Sequence, residues 1–219
     1  MSMIRTWPRF ISLEGGEGAG KTTVLGALRS ALQGEVVSTR EPGGTLLSER
    51  IRDLLLQGDG MSLEPLAAET ELLLMFAARA QHVREKILPA LERGAWVISD
   101  RFTDSSFAYQ GGGRGLDPRF IQELEQRVVG IKPALTFLLD VGVAIGRERA
   151  RGRDLALSGT GPDRIERERD EFFERVRSTF LSRAAAEPGR IRVIDAARPA
   201  DVVAADAVAH LRAWQASTP

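Results

Sequence analysis

Short apolar runs recur along the chain at Phe10 to Glu14, Val36 to Thr39, Trp96 to Asp100, Leu135 to Asp140 and Ile191 to Asp195. They are rich in β-branched residues and mostly apolar on both sides, as strands of a covered parallel sheet are. The stretches between them are long enough for right-handed helical crossovers. There the apolar spacing becomes helical. Leu46, Ile51, Leu54 and Leu55 form one stripe, and Leu72, Met75, Phe76, Ala80 and Val83 form another. Ile87, Leu88 and Leu91 continue the second stripe to a stop at Gly94. Asp117 is placed to cap a helix starting at Pro118, with Phe120, Ile121, Leu124 and Val128 on one face. Phe172, Val176 and Leu181 mark a further helix, and Val202 to Trp214 the last. The pattern predicts one α/β domain over 1–219, a five-stranded parallel sheet flanked by helices on both faces. Glu14, Asp100, Asp140 and Asp195 stand at strand ends, with Arg40 just past the other strand. Ligands in such sheets sit beyond those carboxyl ends.

Composition narrows the partners. The 219 residues are 43% hydrophobic, enough for one full core, and Lys+Arg and Asp+Glu both total 30. No overall field favours nucleic acid or a membrane, so neither is an expected partner. Lysine occurs only at 21, 86 and 132, so nearly all positive charge is arginine. The absence of cysteine excludes disulfides and thiolate metal sites, and His82 and His210 are the only imidazoles. No run reaches membrane-spanning length, and Met1 to Arg9 has no signal-like apolar core. A cytoplasmic location is the expectation.

The candidate chemistry begins after the first apolar run. Gly15-Gly16-Glu17-Gly18-Ala19-Gly20-Lys21-Thr22 fits the phosphate-loop pattern and lies between a strand-like run and a helix-like one spanning Thr22 to Leu32. Glycines let successive amides converge on an anion at a helix N-terminus. Lys21 would reach the β and γ phosphates of a nucleotide, and the Thr22 hydroxyl would ligate Mg²⁺. Thr39-Arg40-Glu41-Pro42-Gly43-Gly44-Thr45 follows the second run, as a turn or as part of a site, and a cis Glu41–Pro42 bond is one conformation open to it. Asp100 and Arg101 end the third, where the carboxylate could hold Mg²⁺ and the arginine could face the same cleft. Arg147, Arg149, Arg151 and Arg153, with Arg164 and Arg167, flank the glycine-rich stretch Gly152 to Asp163. They read either as a solvated helix face or as a mobile lid over about residues 147–167 that brings charge onto phosphates.

Together, Glu14 to Thr23, Thr39 to Thr45, Phe76-Ala77-Ala78-Arg79-Ala80-Gln81-His82, and Asp100-Arg101 with Ser105, Ser106, Tyr109 and Gln110 to Gly113 resemble bacterial thymidylate kinase, over about Phe10 to Asp195. The resemblance implies a P-loop nucleoside monophosphate kinase fold, transfer of the γ-phosphoryl group of ATP to dTMP, Mg²⁺ and a homodimer. It implies that Gly15 to Thr23 and Arg149 bind ATP, and that Thr22, Glu17 and Asp100 serve the metal. On the acceptor side it assigns the sugar 3′-hydroxyl to Glu17, the dTMP phosphate to Arg40 and Arg101, the thymine stack to Phe76 and a thymine carbonyl to Arg79. Ser105, Ser106 and Gln110 fall in the acceptor site, with Ser106 reading the base edge and Tyr109 crowding the sugar 2′ position. The phosphate loop has no arginine at Glu17 to Ala19, so the chain resembles the branch whose lid supplies the catalytic arginine. Asp154 to Pro162 looks inserted in that lid, and Arg153 and Arg164 are the better candidates alongside Arg151. Without the resemblance, Phe76 lies on an apolar helical stripe and reads as core. Another nucleoside monophosphate kinase and a non-catalytic nucleotide sensor remain alternatives. A GTPase switch does not, because the chain has no asparagine for a guanine-reading motif.

Overall fold

The computed structural model describes residues 4–56, 65–157 and 163–217, with side chains at 153–157 excepted. Five strands are β1 (Arg5–Gly15), β2 (Val36–Arg40), β3 (Trp96–Asp100), β4 (Ile131–Asp140) and β5 (Ile191–Asp195). They form one parallel sheet in the order β2-β3-β1-β4-β5. The order reverses beside β1, and this switch point opens the crevice where such sheets bind ligands. β1 and β4 start earlier than their apolar runs suggest, because Arg5 to Trp7 pairs with Ile131 to Pro133 before the register shifts between Trp7 and Ile11. Pro8, which has no N–H to donate, stands in that interruption.

Alternation along β1 sorts the two faces. Ile11 and Leu13 join Leu135, Phe137 and Leu139 under α1 (Lys21–Ala31). Val24 and Leu28 of α1 complete that layer. Phe10 points the other way, with Leu72 and Phe76 of α3 (Ala68–His82). Between these helices, α2 (Leu46–Leu56) buries Ile51 and Leu55, whereas Leu46 is 91% exposed and Leu54 also faces solvent. The predicted four-residue stripe is therefore half as wide as expected. A π-helical segment, Val83–Ile87, carries α3 into α4 (Leu88–Glu92), which stops before Gly94 in the left-handed conformation.

After β3, α5 (Thr103–Ser106) runs into a π-helical segment, Phe107–Gly113. The Asp117 side chain caps α6 (Pro118–Leu124) by accepting from the Arg119 amide at 2.8 Å. Its predicted inner face is corrected: Ile121 is buried, but Phe120 and Val128 are exposed. The last three helices are α7 (Val143–Leu157), α8 (Asp170–Ala186) and α9 (Ala200–Ser217). α9 covers the α1 face through Val203, Ala207 and Leu211. α8 covers the other through Phe172, Val176 and Phe180, with Tyr109. No described helix is long and apolar enough to cross a membrane.

Candidate active site

The phosphate loop leaves β1 with Gly15, Gly18 and Gly20 at positive φ. Two of these have no alternative. A Cβ on Gly15 would collide with the Leu139 carbonyl, and one on Gly18 with the backbone of Gly146 at the root of α7. Lys21 is the first residue of α1, and its Nζ folds back to donate to the Gly16 carbonyl at 3.0 Å and the Gly15 carbonyl at 3.3 Å. Burial and the neighbouring Arg101 push its pKa down to about 8, despite Asp100, Glu14 and Glu17 nearby. Among the described residues this ammonium has no direct carboxylate partner, which suits it to an incoming polyanion.

Arg101 follows β3 with φ 70, the only non-glycine residue at positive φ among those described. That conformation costs about 1–2 kcal/mol and persists only where surroundings impose it. Here its amide donates to the Leu13 carbonyl at 2.8 Å, and its carbonyl accepts from Ser99 Oγ at 2.7 Å. The side chain is thereby turned towards α5, where Nη1 donates to Ser105 Oγ at 3.2 Å and Nη2 to Tyr109 Oη at 3.1 Å. Ser105 Oγ also donates to Glu14 Oε2 at 2.6 Å, and the Phe102 amide donates to Oε1 at 2.8 Å. Burial, then the charge of Asp104, raises Glu14 to about 7.

Lys21 and Arg101 line one cavity of about 310 Å³, together with Glu17, Gly18, Arg52, Arg79, Asp100, Ser105, Ser106, Tyr109 and Gln110. Its charge is divided. On one side, burial and the nearby Arg40 lower the pKa of Arg52, with Arg101 adding to the effect. On the other, burial and Glu166 raise Glu17 to about 7, with Asp163 contributing. Asp163, Ile165 and Glu166 form part of the same wall. A ligand with an anionic end and a hydroxyl-bearing middle would satisfy both sides.

Arg79 is held for recognition. Its Nε donates to Glu41 Oε2 at 2.6 Å, Nη1 to Ser106 Oγ at 3.0 Å and Nη2 to the Phe102 carbonyl at 3.1 Å. Glu41 Oε1 accepts from His82 Nδ1 at 2.9 Å, and His82 Nε2 pairs with Thr39 Oγ1 at 2.7 Å. Burial alone would raise the Glu41 pKa, but the charges and hydrogen bonds of Arg79 and His82 lower it. The Glu41–Pro42 bond is cis.

Three expected placements are corrected. Phe76 is 2% exposed within a core cluster, stacks beneath Arg79 at 4.8 Å and does not line the cavity. Met75 does, because it lies four residues before Arg79 and so on the same helical face. Arg40 is also outside the cavity, half-exposed and paired with Glu49 at 2.8 Å. Thr39 turns to His82 on the α3 face, so strand alternation sends Arg40 to the α1 face, beside Thr22 and Leu25. Arg52 lines the cavity in its place, together with Arg79 and Arg101. Arg164 donates to the Leu55 carbonyl at 2.9 Å and Glu71 at 2.7 Å, so it is committed away from the phosphate loop. The side chain of Arg153 and most of the apparent 154–162 insertion lie outside the described residues; Arg151 is exposed.

Arg149 is on α7 and donates to the carbonyls of Ala196 at 2.7 Å and Ala197 at 2.9 Å, just past β5. With Ala19, Gly20, Val24 and Arg198 it encloses a small hollow behind the phosphate loop. Asp100 Oδ1 is buried without a hydrogen-bond partner among the described residues, and Asp100 shares a shallow depression with Thr22. An orphaned carboxylate oxygen near a loop hydroxyl fits a divalent cation that also binds nucleotide phosphates. No group of three His, Asp or Glu ligands occurs among the described residues, so such an ion would need the nucleotide to complete its coordination.

The state of Lys21 makes a prediction. A polyanion favours the charged amine, so nucleotide affinity should fall as pH rises through about 8, with proton uptake on binding. Calorimetry in buffers of different ionisation heat measures this, and pH-independent affinity between about 7 and 9 would contradict it.

Comparison with known proteins gives consistent matches. The family model described as "Thymidylate kinase" matches residues 13–207. The thymidylate kinase of Chromohalobacter salexigens is 54% identical over 207 residues, covering 93% of this chain and 94% of that protein. That of Methylococcus capsulatus is 52% identical over 199 residues, covering 89% and 90%. The crystal structure of thymidylate kinase from Ehrlichia chaffeensis superposes with a TM-score of 0.71 at 34% identity, over 95% of this chain and 99% of that one.

Proposed function

The chain belongs to the thymidylate kinase family, and from that premise we propose how its own residues move the γ-phosphoryl group of ATP to dTMP. The protein is an ATP-dependent phosphotransferase acting on dTMP. The observation that carries the site assignment is that Lys21 of the phosphate loop and Arg101 line the same cavity. A donor phosphate and an acceptor phosphate can thus approach with no protein layer between them.

In this reading the amides of Gly18 to Thr22 and Lys21 hold the β and γ phosphates, while Arg149 borders the adenine. Arg101 and Arg52 bind the dTMP phosphate, and Glu17 accepts from the sugar hydroxyl, with Tyr109 against the sugar. The base lies on Met75, its polar edge reached by Arg79, Ser106 and Gln110. Asp100 and Thr22 would hold Mg²⁺, which when bound neutralises charge on the nucleotide phosphates. The acceptor oxygen is already anionic near neutral pH, since the second phosphate pKa is about 6. No residue need act as base. The protein's work is to align two polyanions and stabilise the charge on the group passing between them. With Arg164 committed to Glu71, the α7 arginines Arg151 and Arg153 are the proposed lid contributors to that group. The active species is proposed to be a homodimer.

Specificity is tested by ADP release from ATP with dTMP, dUMP, CMP, AMP or GMP as acceptor. The expected result is a clear preference for dTMP that disappears on chelation of divalent metal. A preference for another monophosphate would overturn the base assignment and leave the fold intact. ADP release independent of every acceptor would favour a nucleotide sensor.

A further inference from the structure

Glu71 is completely buried yet lines no part of the acceptor cavity. Its carboxylate is met by three side chains from two separate segments, 107–114 and 163–168. Gln110 Nε2 donates to Oε1 at 2.8 Å; Arg164 Nη2 at 2.7 Å and Arg114 Nε at 3.1 Å donate to Oε2. Each donor has a second attachment. Gln110 lines the cavity, and Arg114 Nη1 also reaches Glu168. Arg164 is fixed further by its side-chain bond to the Leu55 carbonyl and by its amide, which donates to the Leu56 carbonyl at 3.0 Å. The segment 163–168 is therefore pinned to α2 and α3, which are elements of the acceptor half. The same segment contributes Asp163, Ile165 and Glu166 to the cavity wall.

We propose that Glu71 is a positioning residue for the acceptor, the anchor that keeps 163–168 as a standing wall of the cavity. Residues 163–167, expected from sequence to belong to the lid, are then part of the fixed wall. The physical reason is the cost of release. Lifting the segment would take Arg164 from a carboxylate with no access to water and part Glu168 from Arg114, and a buried charge stripped of a partner is strongly unfavourable. α7 meets the same segment through Arg147, which donates to the Glu168 carbonyl at 2.9 Å. Glu71 also connects the wall to Gln110, so the same carboxylate sets both the side chain facing the acceptor and the backbone closing over it.

This inference rests on the cavity being the acceptor site, and its test separates the two. Glu71→Gln keeps the shape and removes the charge. Arg164→Met removes one donor from a half-buried position and serves if the first variant folds poorly. Both should raise KM for dTMP at least tenfold with kcat and KM for ATP within about threefold, and amide exchange in 163–168 should accelerate. The double variant should be no worse than the poorer single one, because both cut the same link. Unchanged exchange in 163–168 would refute the anchor. Faster exchange with unchanged KM for dTMP would refute the acceptor assignment of this wall. A lowered thermal midpoint with both readouts unmoved would reduce Glu71 to a structural role and overturn the proposal.

Discussion

Lys21→Ala is expected to lower kcat by several hundred-fold while dTMP still binds. Removing one preorganised donor from the transferring phosphates forfeits about 3–4 kcal/mol of barrier stabilisation, and Lys21 is the phosphate-loop residue whose side chain reaches that position. The change should be readable as chemistry and not as damage to the fold. Among the described residues Nζ is held by the carbonyls of Gly15 and Gly16 and by no direct carboxylate, and its pKa of about 8 shows that its surroundings disfavour the charge before nucleotide arrives. Losing the amine should accordingly leave the thermal midpoint unchanged or raise it. Steady-state turnover, dTMP titration and thermal unfolding on the same preparation separate the effects. A kcat within about tenfold of the parent would mean that the donor phosphates lie elsewhere.

The second large effect is on stability. Asp104 sits at 1% side-chain exposure, facing Arg190 at 2.7 Å and Arg183 at 2.6 Å. Arg190 continues to Thr136, whose hydroxyl meets Ser12 at 2.8 Å, so the cluster joins α5 and α8 to the central strands. Burial alone would raise the Asp104 pKa, but the hydrogen bond and charge of Arg190, with Arg183, hold it at about 2. Asp104→Asn leaves two guanidiniums without their shared charge. The expected loss is about 3–5 kcal/mol, and the midpoint should fall on the order of 10 °C. In the parent protein the same group gives a pH signature. Its folded pKa is below the ordinary 3.8, so its contribution is complete above that value and is lost as pH falls towards about 2. Glu187, also held at about 2 by Arg190 and Lys132 against the effect of burial, titrates in the same window. Denaturant unfolding between about pH 5 and 2 should show this loss, and Asp104→Asn should flatten it. An equally steep acid loss in the variant would place its origin elsewhere.

The strands were legible because burial on both faces leaves apolar residues at successive positions. The early part of β1 was not, since Arg5, Pro8 and Arg9 carry no such pattern and pairing with β4 holds that part. Helix spacing identified which residues share a face, but not how much of that face would be covered, hence the exposure of Leu46, Phe120 and Val128. The phosphate loop was readable because its backbone demands glycine in a fixed pattern. Arginines were harder, because nearly all the positive charge is of this type and their roles depend on remote partners. Arg40 is sent outward by strand alternation, Arg52 is brought inward by α2, and Arg164 is claimed by Glu71. Met75 could have been found from its four-residue interval to Arg79, a stronger signal than the aromatic character of Phe76.

The bare contact between Gly18 and Gly146 has a mechanical consequence. Two main chains meet there with no side chain to act as a cushion: a methyl on Gly18 would strike the backbone of Gly146, and one on Gly146 would strike the carbonyl of Glu17 in the loop. The joint has no slack, so a tilt at the base of α7 must shift the amides that cradle phosphate, and phosphate seated in the loop must in turn fix that tilt. Nucleotide occupancy and the attitude of α7 are consequently one coordinate of motion, geared by two hydrogen atoms where any other residue pair would have put carbon.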